Sequence, residues 1–142
     1  MYRAKKSGKN NAQFYSSQMS QEIIKRVTLE KELKKAIKDK ELVVYYQPQV
    51  DGVDEKLIGM EALVRWIHPT KGIIPPIDFI PIAEEIGLIV ELDRYVIKTA
   101  INQLTSWYTQ GLNPGILSMN LSVKQLQQKD FLSILEKLMK AT

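Results

Sequence analysis

The stretch Leu57-Ile58-Gly59-Met60-Glu61-Ala62-Leu63-Val64-Arg65-Trp66, residues 57–66, decides how the rest of the chain reads. Its run of apolar residues predicts a strand, and a period of two sorts the side chains into two sets. Met60, Ala62, Val64 and Trp66 fall on one face, while Glu61, Leu63 and Arg65 share the other. Burying an unpaired charge is costly, so Glu61 and Arg65 need water, partners or a ligand. From the residues alone two readings stay open. Either the pair faces solvent and neighbouring charges, or it lines the interior mouth of a barrel and meets ligand.

Upstream, Leu42-Val43-Val44-Tyr45-Tyr46 is β-branched and aromatic. It reads as a strand buried on both faces and ended by Pro48, with the polar segment from Asp51 to Lys56 as the turn into the next strand. Residues 1–8 read as the end of a helix stopped by Gly8, with Asn10-Asn11 as a turn and Ala12 to Tyr15 as a short extended piece. From about Ser17 to Lys40, Ile23, Val27, Leu33 and Ile37 recur at helical spacing, and Thr28 is a candidate cap for a new start inside that stretch. Downstream, His68-Pro69 to Pro76 reads as a loop. Asp78 is expected to cap a short helix with Pro81 in its first turn and Gly87 at its end. Leu92, Val96, Ala100, Leu104 and Trp107 predict a long amphipathic helix closed by Gly111, Ile116 to Leu121 another strand, and Phe131, Ile134, Leu135 and Leu138 a last amphipathic helix. The order is helix, strand, strand, helices, strand, helix, which points to an α/β fold. Three strands make neither a closed barrel nor a comfortable open sheet, and the last helix has no strand to return to. The chain therefore reads as cut off in mid-fold, with an unpaired edge.

Bulk properties narrow the chemistry. The 142 residues contain no Cys, which excludes a disulfide scaffold, a Cys-ligated zinc site and a thiol nucleophile. No apolar run approaches the ~18–20 residues of a membrane span, and no signal-peptide core opens the chain, so a cytoplasmic segment without membrane contact is expected. Charge is uneven: residues 1–40 carry 11 Lys/Arg against 4 Asp/Glu, and residues 41–142 carry 9 against 12. The basic arm has the charge of a nucleic-acid binder, but its lysines lie within a helical pattern and read equally as a solvated helix face.

Few other residues can carry chemistry. Gln47 ends the first strand, and Asn120 alternates with apolar neighbours in Leu117-Ser118-Met119-Asn120-Leu121-Ser122. A buried Asn is often structural, yet Glu and Asn oxygens at strand ends of an α/β barrel suit a hard cation such as Mg²⁺ or Mn²⁺. His68, followed by Pro69, is either a structural residue or a general base, with the structural role the more common in such a turn. Glu84-Glu85 and Asp54-Glu55 read as solvated charges. Phosphate-binding Gly loops and Ser/His/Asp arrangements are absent.

Several of these segments together resemble a known family. Tyr45-Tyr46-Gln47-Pro48, Glu61-Ala62-Leu63-Val64-Arg65-Trp66, His68-Pro69, Phe79-Ile80-Pro81-Ile82-Ala83-Glu84, Gly87-Leu88-Ile89 and Asn120-Leu121-Ser122 are similar, in that order, to the EAL domain family from about Leu29 to the chain end. The first 15 residues resemble the tail of a GGDEF domain, which commonly precedes EAL domains in bacterial signalling proteins. The resemblance divides the chain into a GGDEF remnant over 1–15, a linker helix over 16–28, and the N-terminal half of an EAL domain over 29–142. It implies part of a TIM-like (β/α)8 barrel that hydrolyses cyclic di-GMP to linear pGpG with Mg²⁺ or Mn²⁺.

On the family pattern Glu61 and Asn120 are metal ligands, and Gln47, Leu63 and Arg65 contact the dinucleotide. Gln49 stands where the family usually has an aliphatic residue. The family's later acidic ligands and catalytic lysine belong to the barrel's second half, so no complete catalytic set is expected here and the chain alone is expected to lack hydrolytic activity. The other class left open is a catalytically inactive EAL-like cyclic di-GMP receptor or dimerisation module. Homo-oligomerisation through the exposed barrel edges is expected, and nucleic acid is not an expected partner.

Overall fold

The computed structural model describes residues 9–140. Helix α1 (Lys9–Lys38) is continuous, so the turn expected at Asn10-Asn11 and the extended piece at Ala12–Tyr15 are both helical; the helix end expected over residues 1–8 lies outside the described residues. Asn is only a few tenths of a kcal/mol worse than a good helix former, too little to interrupt a propagating helix. Thr28 caps nothing. Its hydroxyl donates to the Ile24 carbonyl one turn back, at 2.8 Å, inside the uninterrupted helix. Residues 17–28 of α1 are exposed, and only from Leu29 onward does it enter the core, through Leu29, Leu33 and Ala36.

Strands β1 (Leu42–Val50) and β2 (Leu57–His68) form the expected antiparallel pair, in register from Leu42↔Trp66 to Gln49↔Gly59. Pro48 does not end β1. It sits opposite Met60 on a strand whose other edge has no strand partner among the described residues, where a missing N–H costs no ladder bond. Nor is β1 buried on both faces: Leu42 is buried, but Tyr45, Gln47 and Pro48 are exposed. A third strand, β3 (Gly72–Ile74), forms where a loop was expected and pairs antiparallel with the end of β2 at Trp66↔Ile74. Strand β4 (Ile116–Met119) pairs parallel with the first part of β2, from Gly59↔Ile116 to Ala62↔Met119. It stops one residue short of Asn120.

The connecting helices are α2 (Pro76–Glu85), α3 (Ile89–Thr109), α4 (Val123–Leu126) and α5 (Phe131–Lys140). Asp78 does not cap α2. The cap position is Pro75, Pro76 opens the helix with the φ that its ring pre-sets, and Asp78 adds negative charge to the first turn. Pro81 accordingly lies inside the helix rather than in its first turn.

The helices cover one face of the sheet. Leu42, Trp66, Ile74, Phe79, Ala83, Ile89, Leu92 and Val96 form the main core with the last turns of α1. Trp66 is fully buried and meets Phe79 edge-on, and Tyr46 meets Trp107 of α3 in the same way at 5.0 Å between ring centres. A second cluster joins Ile97, Ile101 and Phe131, with Met119 and Leu135 packed against it. The result is the open sheet of a partial α/β barrel, whose free edges lie along β1, β3 and β4 among the described residues.

Candidate functional site

Cross-strand register places the candidate residues. Gln47 lies directly opposite Glu61, Tyr45 opposite Leu63 and Val43 opposite Arg65. In a pleated sheet directly opposed residues point the same way, so all six share one face. Across the parallel pair Glu61 is level with Ser118, and Asn120 follows directly after the end of β4. The even-numbered residues of β2 point instead at the helices. The sorting expected from the 57–66 stretch therefore holds, and the polar set occupies the face that the helices leave open.

These side chains have few partners within the protein. Those of Gln47, Glu61 and Asn120 make no hydrogen bond or ion pair among the described residues. Arg65 donates from Nη1 to the neighbouring Val64 carbonyl at 2.8 Å and lies 6.0 Å from the centre of the Tyr45 ring, with no carboxylate partner among the described residues. Leu63, Arg65 and Asn120 line one cavity of about 280 Å³ with residues of α2 and α3. Gln47 and Glu61 do not line that cavity; they lie side by side lower on the sheet face. The donor chemistry of Glu61 and Asn120, a carboxylate and an amide oxygen without partners among the described residues, fits a hard cation. Among the described residues no cluster of three or more His, Asp or Glu converges.

The same cavity contains residues that pattern reading passed over. Asp93, on the second turn of α3, is 5% exposed. One of its oxygens, Oδ2, accepts both the Ser122 hydroxyl (2.5 Å) and the Ser122 backbone N–H (3.0 Å). Burial pushes the Asp93 carboxyl above its ordinary pKa of 3.8, the two bonds from Ser122 pull it back, and the charge of Glu84 adds a small upward push. Ser122 also caps α4, accepting the Gln125 N–H at 3.2 Å. Gln125 is fully buried; its Nε2 donates to the Val90 carbonyl (2.7 Å), and its Oε1 accepts from Arg94 Nε (3.1 Å). Two sequence signals were available. Asp93 interrupts the apolar ladder Ile89-Asp93-Ile97 at helical spacing, and Ser122-Val123-Lys124-Gln125 has the form of a capping box.

His68 is on the opposite side of the sheet, 8% exposed. Its Nδ1 accepts the backbone N–H groups of Thr70 (3.1 Å) and Lys71 (3.0 Å), which puts the ring proton on Nε2, facing Glu32 of α1. Of the two roles open to it, this geometry supports the structural one: His68 fastens α1 to the β2–β3 turn. Glu32→Ala strands a buried N–H and is expected to cost about 1–3 kcal/mol in urea unfolding. Arg26→Ala, which removes surface ion pairs to Glu30 on the same helix and to Glu85 of α2, is expected to cost under about 1 kcal/mol.

Comparison with known proteins places the chain among relatives. The EAL domain family model matches residues 30–142. The cyclic di-GMP phosphodiesterase PdeR of Escherichia coli K12 is 37% identical over 139 residues, covering 98% of this chain and 21% of that protein. A signalling protein of Caulobacter vibrioides is 44% identical over 126 residues, covering 89% of this chain and 15% of that protein. Among solved structures, the PaMucR phosphodiesterase in complex with c-di-GMP superposes with a TM-score of 0.76 at 33% identity, over 80% of this chain and 46% of that one. The chain thus spans about a fifth or less of these two curated relatives and just under half of the solved phosphodiesterase chain. A family match over most of the chain establishes that this chain belongs to the EAL domain family.

Proposed function

We propose that the chain supplies the first part of a cyclic di-GMP phosphodiesterase site, in which hydrolysis of one phosphodiester yields the linear dinucleotide pGpG. The observation that carries this reading is the set of polar side chains Gln47, Glu61 and Arg65 on the open sheet face, with Asn120 just beyond the end of β4: among the described residues Gln47, Glu61 and Asn120 have no hydrogen-bond or ion-pair partner, and Arg65 has no carboxylate partner. In this reading Glu61 and Asn120 hold Mg²⁺ or Mn²⁺, and the chemistry such a cation supplies when bound is polarisation of a phosphoryl oxygen and acidification of water. The Arg65 guanidinium forks a phosphate, for which its planar donors are suited, while Leu63 and Gln47 hold the rest of the dinucleotide. The residues upstream fit a connector. Residues 1–15 are assigned to the tail of a GGDEF domain and 16–28 to a linker, and the uninterrupted α1 supports a stiff link between them and the EAL part.

The two cation donors that this chain contributes are too few for turnover, so the 142-residue chain is expected to show no metal-dependent hydrolysis of cyclic di-GMP. Calorimetric titration with cyclic di-GMP in the presence of Mn²⁺ tests the binding half of the reading. Arg65→Ala is expected to weaken binding about tenfold or more, the loss of a charge-assisted contact. Equal binding by wild type and Arg65→Ala, or turnover by the chain alone, contradicts the assignment.

A further inference from the structure

We infer that Asp93 is a positioning residue for this site: it fixes the chain at Asn120-Leu121-Ser122 and so aims Asn120 at the face that carries Glu61 and Arg65. The inference rests on the reading of Asn120 as a ligand-facing donor. Strand pairing ends at Met119, opposite Ala62, and α4 begins at Val123. The three residues between belong to neither ladder nor helix, yet Asn120 lies among them. Leu121 packs against the Ile97, Ile101 and Phe131 cluster, and Asp93 supplies the polar restraint, because one buried carboxylate oxygen accepts both the N–H and the O–H of Ser122. Asn120 is thereby held between two fixed points, the sheet at Met119 and α3 at Ser122.

The anchor is itself immobilised. Asp93 lies in a stretch of α3 whose Ile89, Leu92 and Val96 are core residues. Ser122 caps α4, and Gln125 ties that short helix back to α3 through Val90 and Arg94, whose Nη2 in turn donates to Asp130 at 2.8 Å. Arg65 lines the same cavity but makes no ion pair with Asp93; both of the hydrogen bonds to the Asp93 carboxylate come from Ser122. The carboxylate is therefore committed to the loop. A side chain that only filled space here would carry no charge into a nearly closed position, where an unmatched carboxylate is costly. The polar group is explained by the two donors that it orders.

Amide-resolved NMR of the 142-residue chain tests this without nucleotide or metal. In Asp93→Ala the Ser122 amide is expected to exchange about ten- to a hundredfold faster, the loss of a hydrogen bond to a charged group. The Asn120 side-chain signals are expected to move toward random-coil positions, while the amides of Leu42 and Trp66 keep their protection. Ser122→Ala is expected to move the same signals by less, and Ser122→Thr, which retains the hydroxyl, to restore them. If Asp93→Ala does not fold, the Ser122→Ala and Ser122→Thr pair decides. Unmoved Asn120 and Ser122 signals, or protection lost equally across the domain, overturn the inference. A separate addition of Mn²⁺ to wild type tests the underlying reading: an ordered loop whose Asn120 signals are not broadened by the metal refutes the ligand role and leaves the positioning result standing.

Discussion

Trp66→Ala is expected to lower the thermal midpoint by roughly 10–15 °C, from a loss of about 3–5 kcal/mol at about 3 °C per kcal/mol for a chain of this size. Trp66 is fully buried where β2, α2 and the end of α1 meet, with its ring 5.9 Å from that of Phe79 and 5.4 Å from that of His68. Its Nε1 donates to Glu41 Oε1 at 3.1 Å, so truncation empties a large volume and strips one partner from a carboxylate. Trp66→Phe keeps much of the volume and loses the hydrogen bond, and about 1–2 kcal/mol is expected. Differential scanning calorimetry on the two variants separates the terms. Equal losses would mean that the hydrogen bond rather than the packing dominates.

Gly59→Ala is expected to break the β2–β4 pairing selectively. A Cβ built at Gly59 would lie 2.4 Å from the Ile116 carbonyl oxygen, and across the same junction a Cβ at Gly115 would lie 2.3 Å from the Ile58 oxygen. These obstacles are backbone, so no side chain can rotate away, and the strands must part. Gly115 is further restricted by a φ of +81°, which L side chains rarely adopt. At least about 2–3 kcal/mol is expected for Gly59→Ala, with hydrogen exchange accelerating first in Ile116–Met119. Gly52→Ala is the matched control. No atom lies within 4 Å of its added Cβ, and a change within about 0.5 kcal/mol is expected. Because β4 delivers Asn120, the same substitution displaces a proposed cation donor while leaving every polar side chain of the face chemically intact.

The candidate face was legible because a strand's period of two is local. Glu61, Leu63 and Arg65 need no tertiary knowledge to be assigned to one side, and Gln47 joins them once the two strands are taken as a hairpin. The misreadings were also local, and each failed to a longer-range effect. Asn10-Asn11 reads as a turn until helix propagation overrides it. Pro48 reads as a strand end until its position on an edge makes the missing donor harmless. Gly72–Ile74 reads as loop because three residues carry no periodicity, and only the free edge of β2 beyond Ala62 gives them a partner. Asp93 and Ser122 carried signals in the apolar ladder and the capping box, but nothing in the order of residues says that the two lie 2.5 Å apart.

What the sequence determined by itself is the alternation that separates the polar open-face residues from the core-facing residues on β2, and the ordered motifs that place the chain in the EAL family. Both are written in spacing along the backbone, where each residue's direction follows from its neighbours. The tertiary structure alone decided which polar groups are used up inside the protein and which remain free. His68 is taken by Glu32 and two backbone N–H groups, and Asp93 by Ser122, while Gln47, Glu61 and Asn120 are left unpaired among the described residues. That division depends on which distant segments pack together, and a hydrogen bond exists only when donor and acceptor are brought within about 3 Å of each other.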